Sequence, residues 1–96
     1  MSATTTAIEL EATIVRDKQK GGWTYVLLPG SKAVLGTGNP VRVEGSVDSV
    51  PIEATLLPFG GGTHMLPLKQ AVMRAVGKDD GDLVVVRIAP RERSGR

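Results

Sequence analysis

Apolar and polar residues alternate over residues 7–16: Ile8, Leu10, Ala12 and Ile14 fall on one side, Glu9, Glu11 and Thr13 on the other. Side chains of an extended chain point alternately to opposite faces, so this pattern predicts a half-buried strand. The polar stretch 17–22 ends in Gly21-Gly22 and predicts a hairpin connection. Residues 23–28 are apolar on both faces and predict a second strand, stopped by Pro29 and Gly30. Residues 31–35 suit one helical turn, with Ser31 as cap and Gly36 as terminator. A third strand spans 41–47, with Val41, Val43 and Val47 inward and Arg42 and Glu44 outward; Gly45 in its interior suggests a bulge or tight bend. After a turn at 48–51, residues 52–57 complete a hairpin. Residues 58–63, with Gly60-Gly61-Gly62, predict a flexible loop, and 64–66 a short extended piece. Pro67 opens the one clear helix, 67–76, where its missing N–H costs nothing. Leu68, Ala71, Val72, Ala75 and Val76 share one face of it, and Gly77 stops it. A turn at 78–82 leads to a buried strand, 83–89, and a charged tail.

Two stretches share a plan. Leu28-Pro29 leads through a helical turn and Gly36 to Val41-Arg42-Val43, and Leu66-Pro67 leads through a helix and Gly77 to Val84-Val85-Val86. The second is longer between proline and glycine by about one helical turn. Coincidence is the competing reading, since Leu-Pro and Gly are common. Taken as a repeat, the pattern predicts two interlocked halves about a pseudo-two-fold axis, closing a small β-barrel capped by short helices. The expected core holds Ile8, Leu10, Ile14, Val26, Val43, Ile52, Leu56, Val72, Val84 and Val86.

The pieces Trp23-Thr24-Tyr25-Val26-Leu27-Leu28-Pro29 and Val41-Arg42-Val43-Glu44-Gly45-Ser46-Val47-Asp48 resemble a small bacterial family, domain of unknown function 1905. So do Thr55-Leu56-Leu57-Pro58, Gly61-Gly62-Thr63-His64, Leu66-Pro67-Leu68 and Gly77-Lys78-Asp79-Asp80-Gly81-Asp82. Ser49 departs from the family's pattern, which tends to have Gly in that hairpin turn. The resemblance implies a double-split β-barrel of about six strands, related in shape to AbrB-like and antitoxin DNA-binding domains. It implies no established biochemical activity.

Composition narrows the picture. Ninety-six residues allow one core, and 41% hydrophobic with 23% charged residues is ordinary for a globular chain. With one Trp, one Tyr and one Phe, the core must rest on aliphatic residues. Trp23 and Tyr25 share a strand face; they are expected inside, the alternative being a stacking surface. The absence of Cys excludes a disulfide scaffold, a thiol nucleophile and a Cys-based zinc site. The first residues lack the basic and apolar regions of a secretory signal, and no apolar run reaches membrane-spanning length, so the expected compartment is the cytoplasm. Twelve basic and ten acidic side chains give a formal charge of +2. Arg87, Arg91, Arg93 and Arg96 lie near the end, and Arg16, Lys18 and Lys20 form a second group. The expected domain is 7–89, between a disordered terminus, 1–6, and a flexible tail, 90–96.

His64 is the sole histidine, between a glycine-rich loop and a helix start. A proton shuttle or ligand contact competes with the plainer reading of a histidine bonded to local backbone. The glycines lack the Lys-Ser/Thr of a phosphate loop. Asp79, Asp80 and Asp82 do not match a calcium loop and read as a solvated turn in which Asp82 pins the backbone. No catalytic residue, metal site or cofactor is assigned.

These readings favour a non-enzymatic binding or interaction module with its groove at residues 60–64. The candidate ligand-binding residues are Gly61, Gly62, Thr63, His64 and Lys69, with a small molecule or a protein as partner. Nucleic-acid binding through Arg16, Lys18 and Lys20 is the alternative, by analogy with the AbrB-like barrels. A small enzyme using His64 ranks third. Two tandem halves predict a monomer or a weak dimer.

Overall fold

The computed structural model describes residues 7–18 and 22–91. The N-terminus expected to be disordered, Lys20 and the tail from residue 92 lie outside the described residues. In chain order the elements are β1 (Ile8–Thr13), β2 (Val15–Asp17), β3 (Trp23–Leu28), α1 (Ser31–Leu35), β4 (Val41–Val47), β5 (Val50–Gly60), β6 (Thr63–Pro67), α2 (Gln70–Val76) and β7 (Leu83–Pro90). All pairings are antiparallel, in the order β1-β7-β4-β5-β6-β3-β2. β1 and β2 are successive stretches of one segment, so the two ends of that order meet and the sheet curls into a nearly closed barrel. Among the described residues no helix is long and apolar enough to cross a membrane.

Seven strands stand where six were expected, because the first segment divides at Ile14. Its first part pairs with β7 and its second with β3, so the chain turns from one neighbour to the other. Ile14 donates its N–H to Asp82 O (2.9 Å) and accepts from Gly81 N (2.8 Å), and its side chain fills the core. The interior also holds Ile8, Val26, Leu28, Val43, Val47, Ile52, Leu56, Leu66, Val84, Val86 and Ile88. Each fully buried aliphatic chain contributes about 1.5–3 kcal/mol of transfer free energy. Of the expected core, Leu10 and Val72 are only partly buried.

Three boundaries differ from the sequence expectation. Pro67 ends β6, opposite Tyr25, and Leu68 donates its N–H to Thr24 O (2.8 Å). The ladder thus claims the residues expected to open the helix, which begins only at Gln70 after Lys69. Ala71 and Ala75 face solvent, and α2 leans on the core through Val72, Met73 and Val76 without burying any residue fully. The expected flexible loop at 58–63 is mostly strand: β5 runs to Gly60, and only Gly61 and Gly62 turn, at φ 63° and 79°. A two-residue hairpin turn of this kind needs positive φ at both positions, which glycine adopts without strain. Pro90 belongs to β7 rather than to a tail, and Arg91 donates its N–H to Arg42 O (2.8 Å).

The internal echo is visible in the register. The displacement that carries Pro29 onto Pro67 carries Val26 onto His64 and Leu28 onto Leu66. β3 and β6 pair Val26 with Leu66 and Leu28 with His64, so the pairing maps onto itself. The displacement that carries Gly36 onto Gly77 does the same for β4 and β7, where Gly45 meets Ile88 and Val47 meets Val86. Both helices end on these left-handed glycines, whose N–H bonds Lys32 O and Met73 O respectively. Gly45 marks the close crossing of β4 and β7. A Cβ there would sit 1.9 Å from Arg87 O, so backbone approach, not a bulge, requires the glycine.

Candidate functional site

The pseudo-two-fold creates two equivalent corners, where a helix start meets the end of a β3 or β6 strand. At the first, β6 points His64 inward with Leu66, and only 1% of it is exposed. The His64 N–H donates to Ser31 Oγ (2.8 Å), and Ser31 Oγ lies 2.7 Å from Nδ1. Nε2 lies 2.9 Å from Asn39 O. A carbonyl only accepts, so Nε2 carries the ring proton and Nδ1 accepts from the Ser31 hydroxyl. Lys32 donates its N–H to Gly62 O (3.1 Å), tying α1 to the Gly61-Gly62 turn. Ser31 and His64 are the only buried polar residues among those described, and each partners the other.

The Ser–His distance would suit a nucleophile and its base, but Ser31 is 1% exposed. His64, expected to face a groove, is enclosed here with both ring nitrogens bonded within the cluster. Four of the clefts formed by the described residues are lined by none of Gly61, Gly62, Thr63 and His64. Of the five candidate ligand contacts, Lys69 lines three of these four clefts and the others line none of them. The structure therefore separates Lys69 from the other four.

Lys69 belongs to the second corner, where the same displacement places Trp23 opposite Gly61, Thr24 opposite Gly62, Val26 opposite His64 and Lys69 opposite Ser31. Val26 offers no polar partner, and Lys69 stays exposed. A cleft of about 440 Å³ opens there, lined by Trp23 and Arg16, by Leu68 and Met73 on the apolar side, and by Lys69 and Gln70. Trp23, expected in the core, is 47% exposed. It starts β3 opposite Asp17, and because Val26 and Leu28 point inward, Trp23 and Tyr25 fall on the outer face of the strand. Tyr25, two residues on, is buried with its ring 6.2 Å from that of Phe59. Arg16 and Lys18 are exposed; Arg16 donates its backbone N–H to Asp80 Oδ1 (3.1 Å), leaving its guanidinium outside that bond. Neither Arg16 nor Lys69 belongs to an ion pair among the described residues.

Sequence reasoning missed this cleft. The available signal was parity: with Val26 and Leu28 inward, Trp23 falls on the outer face of its strand; the approach of Lys69 depends on β3–β6 pairing, which no local pattern reveals. The aspartates behave as expected: Asp82 Oδ2 accepts from Asp79 N (3.0 Å) and Asp79 Oδ1 from Asp80 N (2.8 Å). Asp48 joins two loops, receiving Lys78 Nζ at 2.7 Å and Val85 N–H at 2.7 Å. The Lys78 hydrogen bond, then that of Val85, lowers its carboxyl pKa below the usual value, against a small opposing effect of burial.

Compared with curated proteins, the chain matches none. The family model described as domain of unknown function DUF1905 matches residues 11–88, a span that covers the barrel from within β1 into β7. By that match the chain belongs to the DUF1905 family, whose function is unknown.

Proposed function

We propose that the chain is a non-enzymatic binding module and that its recognition face is the Trp23 corner rather than the His64 corner. The observation that carries this reading is a half-exposed tryptophan set into a cleft between two cations, Arg16 and Lys69. The sealed His64 cluster offers nothing comparable: its ring nitrogens are already bonded. The chemistry of the cleft favours a ligand with a planar ring and a negative charge. The indole face stacks the ring, Leu68 and Met73 exclude water, and the cations hold the charge.

Stacking contributes about 1–3 kcal/mol, and a hydrogen bond to a charged group about 1.5–3 kcal/mol. Against the freedom lost on association, this supports weak binding, in the range of about 1 mM for a mononucleotide. Trp23 is the only tryptophan, so its fluorescence reports on the cleft directly. Adenosine monophosphate is expected to quench it saturably, with adenosine (ring without charge) and ribose 5-phosphate (charge without ring) each severalfold weaker. Lys69→Gln should weaken the effect. Absence of saturable quenching by any of the three would overturn the reading.

A further inference from the structure

The Trp23 cleft does not end at Lys69. A second cleft, of about 330 Å³, shares Pro67 and Lys69 with it and continues past Thr55 to Arg42 and Arg91. The two form one path along the outside of the barrel, with Trp23 near one end and Arg42 and Arg91 near the other. Among the described residues four cations border it: Arg16, Lys69, Arg42 and Arg91. Among the described residues the single carboxylate in either cleft, Glu53, engages Arg91 at 3.5 Å. Arg42 belongs to no ion pair among the described residues. Beside the path, Glu44 and Glu53 stand opposite each other across β4 and β5 and line a third cleft that also meets Lys69.

We infer that this path binds a short stretch of single-stranded nucleic acid, with an unpaired base stacked on Trp23 and backbone phosphates on Lys69, Arg42 and Arg91. The inference rests on the proposed role of the Trp23 corner and extends it from a mononucleotide to a strand. An aromatic at one end with cations strung along a groove is what a strand requires, because its charge repeats while its rings are free to stack. In a duplex the base faces are covered, so the indole would have no partner. The net charge of +2 is too small to attract polyanions without such local placement.

The test is a fluorescence titration with a thymidine decanucleotide over a range of salt concentrations. The strand should bind at least about tenfold more tightly than adenosine monophosphate, with a log–log salt slope near −2, since each of about three phosphates contributes about −0.7. Arg42→Gln and Arg91→Gln should each make the slope shallower by about 0.7. A duplex of the same length, and an abasic decamer carrying the same phosphates, should bind much more weakly. The inference is overturned if either binds as well as the strand, or if both arginine variants keep the full slope. Quenching by the mononucleotide without tighter binding of the strand would overturn the inference and leave the binding module standing. No quenching by either would remove both.

Discussion

The two corners of the barrel occupy equivalent places and are finished in opposite ways. At the first, Ser31 turns inward and His64 fills the place that Val26 takes at the second. The polar groups satisfy one another, and α1 is latched to the sheet. At the second, Lys69 replaces Ser31 and Trp23 replaces a turn glycine; among the described residues no buried side-chain latch forms, and a cleft remains. A lone histidine beside a glycine run attracts attention in a sequence, yet here its hydrogen-bonding capacity is spent on the fold. The open chemistry lies where the repeat has an exposed aromatic and an uncommitted cation.

The comparison depends on the frame that relates the corners, and the crossing of β4 and β7 pins that frame. Gly45→Ala should have the largest effect, because the added methyl meets the Arg87 carbonyl and one backbone must move. A loss of about 3 kcal/mol, a large part of a small domain's stability, is expected in urea denaturation. Unchanged stability would mean that the strands do not cross as closely as described.

Next in size, Ser31→Ala should cost about 2 kcal/mol, since it leaves buried donor and acceptor groups of His64 without a partner. Its counterpart Lys69→Ala should change stability by less than about 0.5 kcal/mol, as an exposed position does. Thermal melts of the two variants sharpen the contrast between corners; equal losses would erase it.

A smaller effect separates the two hairpin turns. Gly61-Gly62 meets the demand for positive φ with glycines, whereas Asp48 and Ser49 meet it at φ 49° and 70° with side chains. Asp48-Ser49 is thus a primed turn that this chain makes at some strain. Ser49→Gly should raise stability by about 0.5–1 kcal/mol, the relief of a left-handed non-glycine residue outweighing added chain entropy. A destabilised variant would show that the hydroxyl matters more than the backbone.

The smallest effect concerns acid. The Asp48 carboxyl is shifted down, so the unfolded state binds the proton more tightly, and stability rises with pH through this range. The contribution is present above the unfolded value, near pH 4, and is lost as pH falls through the lower folded value. Asp48→Asn should therefore show a shallower loss of stability below about pH 4 than the parent chain. An identical acid limb in both would remove Asp48–Lys78 as its source.

Much of the barrel was legible in the sequence because alternation reports directly on which face of a strand is buried. Ile8, Ala12 and Ile14 illustrate it, as do Val43 and Val84. The repeat was legible only in outline. The displacement that relates β3 to β6 also carries Ala33 onto Ala71 and Val34 onto Val72, but the longer α2 breaks the alignment before the following strands. What alternation could not show was which residues pairing brings together. His64 meets Ser31 and Asn39 across the fold, and Trp23 meets Lys69 only because β3 lies beside β6. The helix boundary failed for the same reason: Pro67 is a good first helical residue locally, but the ladder to Tyr25 claims it for the sheet.

Recognition at the Trp23 corner, and not at the His64 corner, leaves its mark residue by residue. It is tested most directly by following the backbone amides and the Trp23 indole N–H by NMR while adenosine monophosphate is added. The largest shift changes are expected at the indole, at Thr24 and from Leu68 to Gln70, with Gly61, Gly62, Thr63 and His64 unmoved. Changes centred on Gly61 to His64, with the indole unmoved, would contradict it.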